Sequence, residues 1–376
     1  MIAIVKITQK CNLDCIYCFD RDATIPDDMT LETVEEICKK DINKEIVDWT
    51  WFGGESTIMG LTWFKEAHKI IRKYYPNMTF SIQTNGTLLN QDWINFFKEE
   101  NFKVGISFDG LSQEKQRGSS GRTLSALKLL LENDIHPGVI SVISDDNYDQ
   151  LLENYLYMKS LGLNSLTINK VYDSARSSGV EKDQIENYLK SFEELFNYWL
   201  DDESALYVEQ FNGFLKGALS TGHYMCNLTG DCRNNIIGFN QKGQIEPCDR
   251  YFPDYYKTPL TIHEYQNLDE AKNTKEYKHL TNQRELRKTN FCKDCEIFDY
   301  CNGGCPADAL FFKDGLEYNP NVCYTRKREW GIIFNKIKNL SPEEIKNKDA
   351  ATLMFFNRNL SFIDEIRREM NASKFK

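Results

Sequence analysis

Short apolar runs alternate with longer stretches of helical period along the first half of the chain. Six runs read as strands: Ile2–Thr8, Val47–Phe52, Thr79–Gln83, Lys103–Asp109, Gly138–Ile143 and Ser165–Asn169. Most are rich in Val, Ile, Phe or Thr, which suit a pleated surface. Between them Leu61–Tyr74, Gln91–Glu100 and Tyr148–Leu161 repeat apolar positions at spacings of three and four, the period of one buried helix face. Such alternation predicts βαβ units and a mainly parallel sheet, open or closed into a barrel. Further helices are expected over Lys182–Leu200 and part of Leu206–Leu219. From about residue 222 the texture turns irregular and cysteine-rich, and a domain boundary is placed there. Ser341-Pro342-Glu343-Glu344 combines an N-cap, a proline at the first helical position and a capping-box Glu, and Ser361–Asp364 is expected to cap a last amphipathic helix.

In folds of this class the chemistry sits on the loops after the carboxyl ends of the strands. The polar motifs fall there: Cys11–Cys18 after the first strand, Gly53-Gly54-Glu55 after the second, Thr84-Asn85-Gly86 after the third, and Ser107 and Asp109 at the end of the fourth.

At 376 residues the chain exceeds the usual single-domain size, so a large domain with a smaller one is expected. A hydrophobic fraction of 41% is enough for a substantial core. No apolar run approaches the ~20 residues that span a bilayer, and Met1 leads into Ile2-Ala3-Ile4-Val5 without the features of a signal peptide. A soluble, cytoplasmic protein is therefore expected, with no membrane partner. The formal net charge is -10 and no stripe of Lys or Arg stands out, which argues against nucleic acid as a partner and for a peptide or small molecule.

Twelve cysteines change the picture. In a reducing compartment, clustered cysteines bind metal or do catalysis more often than they form disulfides. Cys38 stands apart, in the helical run Leu31–Cys38, and reads as a buried core thiol. The other eleven form two groups. Cys11-Asn-Leu-Asp-Cys15-Ile-Tyr-Cys18 sets three thiols on one loop. Three thiolates on a four-iron cluster leave one iron open to a ligand, whereas structural zinc wants four closed ligands.

This CxxxCxxC motif after a first strand, with Tyr17 before its last Cys, resembles the signature of the radical S-adenosylmethionine (SAM) superfamily. The resemblance implies a partial (β/α)6 barrel in which Cys11, Cys15 and Cys18 hold a [4Fe–4S] cluster whose open iron is chelated by SAM. Reductive cleavage of that cofactor would give a 5′-deoxyadenosyl radical. Gly53-Gly54-Glu55 matches the family's GGE motif, which binds the methionine amino group; Ser56 stands where a proline usually follows. Ser107 and Asp109 resemble the family's cofactor contacts on the fourth strand, and Asn85 lies on a neighbouring loop.

The second group is Cys226, Cys232, Cys248, Cys292, Cys295, Cys301, Cys305 and Cys323. On spacing alone, eight thiols fit two four-iron clusters or two zinc sites. The series is similar to the SPASM domain of radical enzymes that modify peptides and proteins. That resemblance implies Cys226, Cys232, Cys248 and Cys305 on one auxiliary [4Fe–4S] cluster, and Cys292, Cys295, Cys301 and Cys323 on another. Three clusters and SAM are then the expected cofactors. The resulting division is a barrel over residues 1–221, a SPASM domain over 222–340 and C-terminal helices over 341–376. Asp249 follows Cys248, and in the anaerobic sulfatase-maturing enzymes, which the chain resembles over nearly its full length, the matching Asp acts as a base.

The expected function is oxidative modification of a peptide or protein, with an electron donor such as flavodoxin or ferredoxin. Phe52 before the GGE motif favours a maturase of ribosomally made peptides that forms a C–C or thioether cross-link, since sulfatase maturases usually carry Gln there. Only ten residues precede Cys11, so the N-terminal precursor-binding domain of many such maturases is not expected. The alternatives are a sulfatase maturase forming formylglycine and a non-catalytic zinc scaffold.

Overall fold

The computed structural model describes residues 1–18, 20, 27–144, 146–171, 182–219, 235–250, 260–281, 283–305, 307 and 320–356. Among the described residues, nine strands form one sheet in the order β7-β6-β5-β4-β3-β2-β1-β8-β9. They are β1 Ile2–Lys6, β2 Asp48–Phe52, β3 Thr79–Thr84, β4 Lys103–Ser107, β5 Gly138–Ile143, β6 Ser165–Lys170, β7 Tyr207–Val208, β8 Ile236–Phe239 and β9 Ile245–Glu246. All neighbours pair in parallel except β8 with β9. The six predicted strands are β1 to β6, lying side by side in chain order as successive βαβ crossovers require.

Helices cover the sheet where the apolar period placed them. Helix α1 (Leu31–Lys40) starts at Thr30, whose side chain accepts from Thr33 N, and buries Cys38 completely. Burial pushes that thiol up to about 12, as befits an inert core cysteine. Helix α2 (Leu61–Tyr74) buries Phe64, Ala67, His68 and Ile71, one face at spacings of three and four. Helix α3 (Gln91–Glu99) is capped by Asn90 and buries Trp93, Ile94, Phe96 and Phe97. Helices Leu151–Ser160, Lys182–Asp201 and Glu209–Ala218 also match their expected positions to within a few residues.

The departures are β7, β8 and β9. Residues Tyr207–Val208 precede their helix as a short strand on β6. More consequential, Ile236–Phe239 pairs with the free edge of β1, from Ile2↔Ile236 to Val5↔Phe239. The sheet does not close on itself; it runs on into the cysteine-rich segment. A Cβ at Gly238 would stand 3.1 Å from the Cys248 carbonyl carbon, so this glycine lets the backbone carrying Cys248 and Asp249 pass against the sheet.

At the C-terminus Ser341 and Glu344 form the expected capping box: Glu344 N donates to Ser341 Oγ at 3.2 Å and Ser341 N to Glu344 Oε2 at 2.6 Å. The boundary placed near residue 222 and the cap at Ser361–Asp364 lie outside the described residues. Among the described residues, no helix is long and apolar enough to cross a membrane.

Candidate active site

The loop after β1 is held in place by backbone pairing that outlasts the strands. Ile7 N donates to Phe52 O at 3.0 Å, Gly54 N to Thr8 O at 2.9 Å and Glu55 N to Lys10 O at 2.9 Å. The GGE segment thus runs as a ladder beside Thr8–Lys10, up to Cys11. Its glycines are needed for that approach: a Cβ on Gly54 would lie 2.5 Å from the carbonyl oxygens of Gln9 and Lys10, and one on Gly53 2.4 Å from Thr8 O. Ile16 N donates to Gln116 O at 2.9 Å, which pins the far side of the loop.

Cys11, Cys15 and Cys18 all line one cavity of about 550 Å³, a volume typical of small-molecule sites. Leu13 N donates to Cys11 Sγ at 3.4 Å, Asn85 Nδ2 approaches the same sulfur at 3.9 Å, and Arg117 Nη1 lies 3.9 Å from Cys15 Sγ. Burial pushes Cys15 up to about 11, opposed by the Arg117 guanidinium. The same cavity is lined by Tyr17, Gly53, Gly54, Glu55, Asn85, Ser107 and Asp249.

Glu55 is buried and ties two loops together. Its Oε1 accepts from Thr57 N at 3.0 Å, Thr57 Oγ1 at 2.5 Å and Thr84 Oγ1 at 2.6 Å, while Oε2 accepts only from Asn85 N at 2.7 Å. One oxygen is therefore committed to the scaffold, and the other keeps a lone pair for a cation. Glu55 also caps the short helix Ser56–Met59, which stiffens the loop without the proline expected at Ser56. Asn85 donates to Asn12 Oδ1 at 3.0 Å, and Ser107 Oγ accepts from Gln83 Nε2 at 2.9 Å.

Asp109 does not line the cavity. It is fully buried and bonds Tyr17 OH, Arg117 Nε at 2.8 Å and Val142 N at 2.8 Å. The carboxylate that sequence placed on the cofactor instead locks the Cys loop to β5 and aims Arg117 at Cys15. Arg117 carries no motif signature; only its position past β4 hinted at it. Its guanidinium also stacks 5.1 Å from the Tyr17 ring centroid.

Around Asp249, the candidate base, stand charges that the sequence reading missed: Lys6, Asp20 and Glu246. Lys6, at the end of an apolar run, donates to Asp20 Oδ1 at 3.1 Å, and both are buried. The charges of Asp20, Glu246 and Asp249 all favour the ammonium form of Lys6, against the desolvation that burial imposes. Burial raises Glu246 to about 8; burial raises Asp249 as well, opposed by Lys6 and Arg250.

A second cavity of about 390 Å³ is lined by Cys292, Cys295, Cys301, Cys305 and Cys323. Burial raises Cys323 to about 11, and like charge on Cys301, Cys292 and Cys295 adds to it. Arg250 Nη1 donates to Cys305 Sγ at 3.3 Å. Arg250 also lines the first cavity, so the strip from Cys248 to Arg250 joins the two cysteine regions. Cys226 and Cys232 lie outside the described residues.

Three thiols, with neither a histidine nor a fourth cysteine among the described lining residues, fit a cluster with one open iron. Among the described residues no three His, Cys, Asp or Glu side chains close around the position of a single metal ion. Thiolates on a four-iron cluster surround a larger body than one ion.

Residues 5–168 match the Radical SAM superfamily model. The chain is similar to a cysteine-type anaerobic sulfatase-maturating enzyme of Clostridium novyi, at 27% identity over 327 residues, 80% of this chain and 86% of that one. It is 25% identical over 373 residues to a serine-type anaerobic sulfatase-maturating enzyme of Bacteroides thetaiotaomicron, covering 87% and 86%. Among solved structures, native anSMEcpe with bound AdoMet superposes with a TM-score of 0.80 at 24% identity, over 92% of this chain and 99% of that one. The alternating α/β architecture on a parallel sheet is therefore shared along nearly the whole length.

Proposed function

The chain carries a radical SAM domain over residues 5–168, and on that premise we propose that it oxidises a Cys or Ser side chain of a protein or peptide to formylglycine. The observation that carries this reading is that Asp249 lines the same cavity as Cys11, Cys15 and Cys18. Peptide cross-linking, favoured by Phe52 at the sequence level, is displaced as the main reading. The sulfatase-maturating relatives match 80% and 87% of this chain, more than a barrel of residues 1–221 accounts for. Phe52 itself lines the cavity, where it bears on which side chain is admitted rather than on the class of reaction.

The conversion removes one hydrogen atom, one proton and one electron from the substrate side chain; for Cys, water then hydrolyses the resulting thioaldehyde to the aldehyde and hydrogen sulfide leaves. When bound, a [4Fe–4S] cluster on Cys11, Cys15 and Cys18 would supply the electron that cleaves SAM, and two auxiliary clusters would take the electron left on the substrate. Glu55 Oε2 is suited to the ammonium of the cofactor, and Asn85 and Ser107 offer polar contacts beside it. Tyr17 closes the loop by bonding Asp109, which positions Arg117 rather than touching the cofactor. Asp249 would accept the proton from its place in the cavity wall; burial raises its carboxyl, and the charges of Lys6 and Arg250 oppose that rise.

The test is anaerobic reconstitution with iron and sulfide, followed by SAM, a reductant and Cys- or Ser-containing peptides from sulfatases. We expect 5′-deoxyadenosine and an aldehyde that reacts with hydrazines, and reduced flavodoxin or ferredoxin should replace the chemical reductant. Loss of two hydrogens with a new cross-link would instead establish the peptide-maturase alternative. A colourless zinc protein that never releases 5′-deoxyadenosine would overturn the radical reading.

A further inference from the structure

The two cavities are joined by a chain of charge, centred on a buried carboxylate, that the proposed reaction does not use. Lys170, at the end of β6, lines the first cavity, and its Nζ donates to Glu329 Oε1 at 2.6 Å. Glu329 sits on the helix Pro320–Ile337, and its side chain is 3% exposed. The same Oε1 accepts from Tyr188 OH at 2.6 Å. Its other oxygen, Oε2, is buried without a hydrogen bond and faces Arg326 Nε at 3.7 Å. Arg326 lines the second cavity together with Cys292, Cys295, Cys301 and Cys323. One carboxylate thus stands between a cation in the wall of the reaction cavity and a cation in the wall of the thiolate cavity. A buried acid in contact with two cations is held in place as a charge, because losing either partner would leave the other uncompensated in a poorly screened interior.

We propose that Glu329 is a positioning residue that sets the reduction potential of the cluster held by Cys292, Cys295, Cys301 and Cys323, and couples it through Lys170 to what binds in the reaction cavity. The negative charge behind Arg326 disfavours adding an electron to an already anionic thiolate cluster. An anionic substrate group on Lys170 would draw that cation away from Glu329 and lower the potential further; a bound cation would do the reverse. Coupling of this kind is reciprocal, so reduction of the distal cluster must change affinity in the reaction cavity by the same factor.

The inference rests on the cluster assignment proposed above, and the experiment separates the two. Reconstituted wild type, E329Q, K170M and Y188F are titrated with a low-potential dye mixture and read by electron paramagnetic resonance, which needs no turnover. E329Q should raise the midpoint potential of one auxiliary cluster and leave the SAM-binding cluster unmoved. K170M removes the opposite charge and should lower the same potential. Y188F removes a hydrogen bond without charge and should sit at the wild-type value. An unmoved potential in E329Q, or shifts of the same sign in E329Q and K170M, overturns the proposal while leaving the cluster assignment intact. Absence of any auxiliary-cluster signal in wild type overturns the assignment itself.

Discussion

Gly54 occupies a place where the chain can hold no side chain. Its would-be Cβ meets two carbonyl oxygens at 2.5 Å, and both belong to backbone that leads into Cys11. Overpacking by one methyl ordinarily costs about 1–3 kcal/mol, and here the neighbour that must yield is the ladder aligning the cysteine loop. Gly54→Ala should therefore lower the melting temperature and lose iron selectively from the Cys11 loop, seen as absent 5′-deoxyadenosine release with the auxiliary clusters retained. Asp249 poses a different question, because it lines the cavity without being one of the thiols. Asp249→Asn should leave 5′-deoxyadenosine release near wild type while aldehyde formation falls about 10²–10⁴-fold, the usual range for a lost general base. Equal loss of both would make Asp249 structural. These residues were legible because each belongs to a contiguous motif. Lys6, Arg117 and Lys170 were not, because their partners Asp20, Asp109 and Glu329 stand 14, 8 and 159 positions away. Only the folded sheet brings them together. Asp109, which the resemblance put among the cofactor contacts, holds Tyr17 and Arg117 and does not line the cavity.

The elements β1 to β6 with α2 and α3 were legible because local period and tertiary burial agree at nearly every position. Trp51, Phe64, His68, Phe80, Phe96 and Phe102 pack as one aromatic cluster between β2, α2, β3 and α3. One polar seam runs through it: Trp51 Nε1 donates to His68 Nε2 at 3.0 Å, and His68 Nδ1 lies 3.3 Å from Glu100 Oε2. His68 and then Arg72 hold the Glu100 carboxyl at about 2, below its ordinary 4.5, while burial lowers His68 from 6.5. Both groups take up protons more readily in the unfolded chain, so both make stability fall as the pH falls. The His68 loss should begin just below pH 6.5. The Glu100 contribution is complete above 4.5 and is lost as pH falls toward 2. Urea midpoints between pH 7 and pH 3 should show this two-stage decline, and Glu100→Gln should flatten the lower stage while deepening the upper one, because Glu100 supports the charged His68 ring. An unchanged lower stage would assign acid sensitivity to other carboxylates. By contrast, β8 was illegible: Ile236-Ile-Gly-Phe239 is too short for a period, and β1 supplies its pairing partner from the other end of the sequence. The resemblance named Asp249 as a base, and β8 is the element that brings its segment against the sheet.

At the scale of the whole molecule the question is how eleven thiols are shared. Cys292, Cys295, Cys301, Cys305 and Cys323 line one cavity, which leaves Cys305 open to either auxiliary site on position alone. Its surroundings point toward the barrel: Arg250, which lines the reaction cavity, donates to Cys305 Sγ at 3.3 Å, whereas Cys292, Cys295, Cys301 and Cys323 interact as a set of like charges. That contact supports the grouping the resemblance implies, with Cys305 joining Cys248, while Cys226 and Cys232 lie outside the described residues. The variants Cys292→Ser and Cys305→Ser separate the possibilities by arithmetic. If the two residues serve different clusters, each variant should lose about one third of the iron of a three-cluster protein, and the double variant about two thirds. If they serve the same cluster, the double variant should retain as much iron as either single one. Iron per chain, with 5′-deoxyadenosine release as a check that the Cys11 loop still holds its own cluster, decides between them. The first outcome would place one electron acceptor against the reaction cavity, on the strip that carries Asp249. Proton and electron would then leave the substrate on the same side.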